Sequence, residues 1–278
     1  IWAFRPLEQI SATAQAMGEA KDLSRRIGLP PGRDEFSHLA QTFDQLFARL
    51  ERSFEAEKQF TADASHELRT PVSIIKGACE YGLKCDETPE ERQETLEMIA
   101  RQAEKMAQLI GQLLSMTRLD QGTEGARLEP VDLGVLVEGL IRERGYEEDK
   151  LFLSVSPGVK VRGDGALLAR LTENLVENAL KYGKPGGHVW VTVKSQGEEG
   201  ILEVRDDGIG IPKDQQEKIW QRFYQVDPSR SDESNGVGLG LSMVRQIAQL
   251  HGGTVTLDSV EGIGSAFALH LPLWKEEA

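Results

Sequence analysis

Cysteine is almost missing: Cys79 and Cys85 are the two in 278 residues, and no second Cys or His pair stands at zinc spacing from either. That usage predicts reduced thiols in an intracellular protein and no metal role for them. Long apolar runs are missing too. No window approaches the ~20 consecutive apolar residues that span a bilayer, and the opening Ile-Trp-Ala-Phe is too short for a signal peptide. Placed just ahead of "RPL", those four residues read as the inner end of a membrane segment that precedes this chain. Positive charge is in deficit, with 32 Lys and Arg against 45 Asp and Glu, a net charge of −13. Affinity for nucleic acid comes largely from cationic contacts to phosphate, so general nucleic-acid binding is excluded. Any phosphate-bearing ligand must be held locally, by a few Lys or Arg, backbone N–H groups and metal.

What is present is periodicity. Apolar residues recur in steps of three and four at Leu7, Ile10, Ala14 and Met17, and again at Phe36, Leu39, Phe43, Leu46 and Leu50. Between the two stripes lies "GLPPGRDE", whose prolines and glycines cannot continue a helix. A third stripe runs through Ala64, Leu68, Val72, Ile75 and Cys79. A fourth, after the turn "KCDETPEE", runs through Leu96, Ile99, Ala103, Met106, Ile110 and Leu113. The last two predict an antiparallel helical hairpin, which leaves an apolar stripe uncovered on each helix. A homodimer that forms a four-helix bundle covers both. Beyond the Gly-containing linker "LDQGTEGARLEP" the pattern changes. "LFLSVS", "VKVRG", "HVWVTV", "ILEVRD", "TVTLDS" and "AFALHL" read as strands, and two helices are expected, one over "DGALLARLTENLVENALKYG" with Asp164 as N-cap and one from about Leu239 to Leu250. Strands with helices segregated to one side make an α+β sandwich.

In "FTADASHELRTPVS", His66 falls between the stripe residues Ala64 and Leu68, so a helix turns it to the solvent flank. An exposed helical His is often surface decoration, but three neighbours argue for chemistry. Glu67 could hold the ring's Nδ1–H and leave Nε2 a free nucleophile. Thr70 lies one turn on and could orient a water toward a group carried by His66. Pro71 has no N–H for the Glu67 carbonyl, so the helix should bend beside the site, although a tolerated kink reads the same way. "ASHELRTPVS" resembles the phosphoacceptor box of bacterial sensor histidine kinases, of the H-E-x-x-T type. That resemblance implies autophosphorylation of His66 from ATP and transfer to an aspartate of a response regulator. It also implies that Glu67 acts as base or orienter and that Thr70 serves in dephosphorylating the regulator.

The second half should hold the phosphoryl donor. In "NLVENALKY", Asn174 and Asn178 are four apart and Lys181 and Tyr182 follow one turn later, which lines one helical face with amide oxygens, an ammonium and an aromatic ring. Amide oxygens suit Mg²⁺, which keeps most of its waters and bridges phosphates, and Lys181 can neutralise phosphate charge. In "RDDGIGI", the acceptor-only carboxylate of Asp206 matches the amine of adenine, at a turn where Gly208 and Gly210 permit close backbone approach. "GVGLGLSMV" sets Gly236, Gly238 and Gly240 at a helix start, where free N–H groups can reach phosphate. Each of these is weak alone; a solvated face or a β-turn would look alike. In their order, with "WQRFYQVD" and "GIGSAF", they resemble the catalytic ATP-binding domain of histidine kinases, part of the wider group that includes gyrase, the mismatch-repair proteins and the heat-shock chaperone.

By that resemblance Asn178 holds Mg²⁺, Asn174 supports it, Asp206 binds adenine, and residues 225–237 form a lid. The first stripes, with "DEFSHLAQTFDQL", resemble a HAMP signal-relay module. The expected domains are therefore 1–52 for HAMP, 53–122 for the dimerising hairpin and 127–278 for the ATP-binding domain. The chain is then expected to be the cytoplasmic portion of an inner-membrane kinase that uses ATP and Mg²⁺, with a receiver domain as partner. A nucleotide-binding dimer scaffold that transfers no phosphate is the alternative. Two positions depart from the family pattern. Asp207 stands where Asn is frequent, and Gln225 stands where many members carry Arg, for which Arg222 or Arg230 would have to substitute. His251, at a helix end, reads as structural, and sequence assigns no partner to His38, His188 or His270.

Overall fold

The computed structural model describes residues 26–28, 35–85, 88–120, 127–146, 149–226 and 237–275. The stripe at Leu7, Ile10, Ala14 and Met17, together with Gly236 and Arg230, lies outside them. The chain divides between Thr70 and Pro71 into two compact units.

Helix α1, Glu35–Cys85, has no glycine before Gly77 and only Pro71 to interrupt it. It runs unbroken across the expected 52/53 boundary and through Pro71, so the proline does not end the helix. In the first unit the connector is pinned to this helix. The Asp44 carboxylate accepts the N–H groups of Ile27 (2.7 Å) and Gly28 (3.2 Å), Arg26 pairs with Glu51, and Ile27 is buried with Ala40, Phe43 and Phe47 around it.

Helix α2, Pro89–Asp120, opens on a reciprocal cap. Glu91 N–H donates to Thr88 Oγ1 (3.2 Å), and Thr88 N–H donates to the Glu91 carboxylate (3.1 Å). With Pro89 in the first helical position, the "TPEE" turn starts the second arm of the hairpin.

The C-terminal fold is a five-stranded sheet of order β2-β4-β5-β7-β6, with a separate ribbon of β1 and β3. The strands are β1 Glu129–Asp132, β2 Leu151–Val155, β3 Lys160–Gly163, β4 Val189–Gln196, β5 Glu199–Asp206, β6 Thr254–Val260 and β7 Gly264–Pro272. Only β2 pairs with its neighbour in parallel. Alternation places Val191, Val204 and Phe267 in one cross-strand row and Val193, Leu202 and Leu269 in the next, all buried. Against this face pack α3 Leu133–Arg144, α4 Gly165–Lys181 and α5 Gly240–Leu250, whose apolar residues complete the core. This is the expected α+β sandwich. β1 and α3 are additions that the strand pattern did not suggest, although Asp132 caps α3 through Gly134 and Val135 N–H and Gly145 closes it in the left-handed region.

Asp164 caps α4 as expected, accepting from Ala166 and Leu167 N–H. Its own N–H donates to His251 Nε2 (2.9 Å), while His251 Nδ1–H donates to the Ile247 carbonyl (2.7 Å). A neutral imidazole therefore ties the end of α5 to the start of α4. Burial pushes the His251 pKa down, against the opposing pull of the Ile247 carbonyl and Asp164. A depressed folded pKa means that the stabilisation is full above the unfolded value near 6.5 and is lost as pH falls through the folded value. Thermal melts should show stability declining on acidification from pH 7 to 5. In His251→Gln that slope should flatten, with about 1 kcal/mol less stability at pH 7 from the lost hydrogen bond.

Candidate active site

The two halves of the expected chemistry lie on different parts of the chain. On α1, His66 is exposed, as its position between stripe residues requires. The Thr70 hydroxyl donates to the His66 backbone carbonyl (3.4 Å) and so stands one turn from the ring on the same side of the helix. Glu67 is half-buried and, among the described residues, makes no hydrogen bond or ion pair with the ring. Adjacent helical residues point about 100° apart, so the expected Glu67 to Nδ1 contact is not formed in this conformation.

The residues expected on the nucleotide side come from four segments of the sheet domain. The Asn174 side-chain N–H donates to the Arg170 carbonyl (2.8 Å), which fixes the amide. Asn178 lies one turn further on α4, and its side chain has no partner among the described residues. Gly240, the first residue of α5, abuts both amides. A Cβ there would lie 2.8 Å from Asn174 Oδ1 and 3.9 Å from Asn178 Nδ2. The Gly-rich segment and the Asn face, 60 residues apart in sequence, therefore meet. Two amide oxygens that accept from no donor among the described residues fit a cation such as Mg²⁺ that keeps most of its own waters. Gly240→Ala is expected to press on the anchored Asn174 amide and weaken Mg·nucleotide affinity by roughly tenfold. Fold stability should hold, because alanine favours helix by about 1 kcal/mol over glycine; titration calorimetry beside a thermal melt separates the two effects.

At the end of β5, Asp206 is 6% exposed. Both hydrogen bonds that its side chain accepts, from Gly208 N–H (2.9 Å) and Ser265 N–H (3.3 Å), end on Oδ1, so Oδ2 is left for a ligand donor. Burial raises its pKa, and the two N–H groups oppose the rise. The turn is clamped from both sides. Ile209 N–H donates to Tyr182 O (3.1 Å), and Gly262 N–H donates to Ile209 O (2.7 Å). Gly210 takes φ 66°, and a Cβ on it would lie 2.1 Å from the Val260 carbonyl, so only glycine fits. Lys181 lies 4.9 Å from the centre of the Tyr182 ring. Gly238 packs against Phe223, whose N–H donates to Gly238 O (2.9 Å), and Arg222 is half-buried just past the 3₁₀ turn Lys218–Trp220.

Sequence reading missed several contributors. Ser265 holds Asp206, and Ser259 accepts the Ile211 N–H (2.9 Å). Lys184 Nζ donates to Gly262 O (2.6 Å). All act across long sequence separations; only the serine in "GIGSAF" carried a local signal. The Asp207 departure is explained by His188, whose backbone N–H (2.8 Å) and Nδ1 (3.2 Å) meet the Asp207 carboxylate and hold its pKa down. His270 likewise gains a partner in Glu199 (3.2 Å). Cys79 and Cys85 are free and exposed. Among the described residues no cluster of His, Cys, Asp or Glu could hold a metal, and no helix is long and apolar enough to cross a membrane.

Comparison with known proteins matches three families along the chain. Residues 163–275 match the family described as histidine kinase-, DNA gyrase B- and HSP90-like ATPase. Residues 56–122 match the His Kinase A phospho-acceptor domain, and residues 2–52 match the HAMP domain. The chain is 34% identical to the sensor protein CutS of Streptomyces coelicolor, over 96% of this chain and 65% of that protein. It is 37% identical to the sensor histidine kinase RppB of Synechocystis, over 80% of this chain and 50% of that one. It thus spans about half to two thirds of the length of these relatives. The structure of full-length ShkA in complex with AMPPNP is 25% identical, with a TM-score of 0.57, over 80% of this chain and 47% of that one.

Proposed function

The chain belongs to the bacterial sensor histidine kinases of two-component systems, and from that premise we propose that it binds Mg·ATP in the sheet domain and transfers the γ-phosphoryl group to His66 Nε2. The observation that carries this reading is the convergence of Asn174, Asn178 and Gly240, with the buried Asp206 carboxylate in the same fold offering one unpaired oxygen. Asp206 Oδ2 accepts from the adenine amine. Asn178, supported by Asn174, would hold Mg²⁺, which would screen phosphate charge. Lys181 and the N–H groups at the start of α5 face the phosphates. The Nε2 lone pair attacks the γ-phosphorus, the P–N bond forms as the bond to the β,γ-bridging oxygen breaks, and ADP leaves. Once a rotamer change brings Glu67 to the ring, its carboxylate accepts the Nδ1–H and orients the imidazole, or takes that proton as base after the P–N bond has formed. Catalysis is then mostly positioning and charge neutralisation.

The phosphoryl group passes next to an aspartate on the receiver domain of a response regulator, and Thr70 orients water when that regulator is dephosphorylated. A homodimer covers the apolar side chains that a single chain leaves exposed on the hairpin, among them Val72 (48%), Leu96 (60%) and Ile110 (44%). The HAMP portion, at 1–52, couples the hairpin, at 53–122, to an anchored sensor on the membrane's far side, and the ATP-binding portion spans 127–278.

Incubation with γ-labelled ATP and Mg²⁺ tests the reading. An acid-labile, alkali-stable label on the protein is expected. A nucleotide-binding scaffold would bind ATP and stay unlabelled, and that outcome would overturn the kinase assignment.

A further inference from the structure

One face of α2 carries Lys105, Leu109, Gln112 and Met116, in steps of four, three and four. Leu109 and Met116 are buried, and Gln112 Oε1 is buried without a partner. On α4, Arg170, Asn174, Asn178 and Lys181 share a face in steps of four, four and three. One contact sets the register between the two helices, and a second ties α2 to α5. The Arg170 guanidinium donates to Ser115 Oγ, and Ser242 Oγ on α5 lies 4.0 Å from Met116 Sδ. From Ser115 back to Lys105 is ten residues, about 15 Å of helix; from Arg170 on to Lys181 is eleven, about 16 Å. Run antiparallel from the Ser115–Arg170 contact, the two helices bring Lys105 beside Lys181. Electrostatics agrees: burial lowers the Lys181 pKa first, and the Lys105 charge lowers it further.

Two ammonium groups facing each other repel unless an anion lies near. Neither Lys105 nor Lys181 has a carboxylate partner among the described residues, and Arg170 bonds to a serine rather than an acid. In a chain with net charge −13, that cationic cluster beside Asn174 and Asn178 stands out. We propose that Lys105, carried by the phosphoacceptor hairpin and not by the sheet domain, is a phosphate-contacting cation of the nucleotide site. It supplies charge that Gln225 cannot supply at the place where an arginine is expected. The inference rests on the reading of Asn174, Asn178 and Lys181 as the phosphate side. Its consequence is reciprocal coupling: a triphosphate between Lys105 and Lys181 holds α2 against α4, and a hairpin that withdraws Lys105 weakens triphosphate binding by the same factor.

The test is calorimetric binding of ATP, ADP and adenosine, with Mg²⁺, to the full chain and to Lys105→Gln, Lys105→Arg and Asn178→Ala. For Lys105→Gln, ATP affinity should fall roughly tenfold and ADP affinity about threefold, with adenosine unchanged, because a point charge acts in proportion to the charge it faces. Lys105→Arg should recover most of the ATP affinity. Unchanged ATP affinity in Lys105→Gln, or a parallel fall for all three ligands, overturns the inference. If Asn178→Ala still loses ATP in that case, the nucleotide reading stands without Lys105. If Asn178→Ala also binds ATP normally, the nucleotide reading itself fails and takes the inference with it.

Discussion

Replacing His66 by glutamine is expected to bring phosphate incorporation from γ-labelled ATP down to background while leaving nucleotide affinity and melting temperature unchanged. The side chain is exposed, and the one local hydrogen bond at this residue, from the Thr70 hydroxyl, uses the backbone carbonyl and survives any substitution that keeps the helix. Such surface changes move stability by about 0.5 kcal/mol or less. Glutamine has no nucleophilic ring nitrogen, so the loss belongs to the chemistry and not to folding. Label that persists at more than a few per cent in this variant would place the acceptor elsewhere. Three of the four other histidines are poorer candidates: His251 is buried and bonded through both ring nitrogens, while His188 and His270 are engaged with Asp207 and Glu199.

Asp206→Asn should cost about 3 kcal/mol of ATP binding, roughly a hundredfold. The carboxylate uses Oδ1 for Gly208 and Ser265 N–H, which leaves Oδ2 for the adenine amine in the proposed complex. An asparagine that keeps the first role through its oxygen must present NH₂ to the second, donor against donor. A purine with a carbonyl in place of that amine should then bind the variant better than adenine does. The pH dependence separates binding from folding. Because burial raises the Asp206 pKa, the folded state holds its proton more tightly than the unfolded one. Its stabilising contribution is present below the unfolded value near 3.8 and is lost as pH rises through the folded value. At pH 7 the ionised group therefore burdens the fold, and Asp206→Asn should melt no lower than the parent chain. ATP affinity of the parent should weaken on acidification as the acceptor is protonated, and the variant should show no such step. A variant with undiminished ATP affinity would sink the adenine assignment.

Local patterns carried much of the architecture. The α4 cap at Asp164, the two helical arms and the six longest strand signals depend on short-range spacing and turn chemistry, and they appear where those rules put them. What failed locally failed for stated reasons. α3 was overlooked because its signal, an Asp cap followed by apolar residues in steps of three and four, sat between a Gly-containing linker and a strand. Pro71 reads as a bend within a helix and not as its end, and α1 does run on through it, since a proline costs a helix one hydrogen bond and some crowding, which a 51-residue helix can absorb. The neighbouring Glu67 does not reach the His66 ring, because adjacency in sequence is not adjacency on a helix.

The sequence by itself determined the chemical inventory: an outward-facing histidine one turn from a threonine, two asparagines a turn apart, an acid followed by glycines, and a helix start free of side chains. Periodicity also placed each on its element. Tertiary structure alone decided which of them meet, because contacts such as Gly240 with Asn174, Ser265 with Asp206 and Arg170 with Ser115 join residues far apart in the chain. It also decided which charges lack a partner. That property depends on what the packed neighbours leave unpaired, and no local pattern records it.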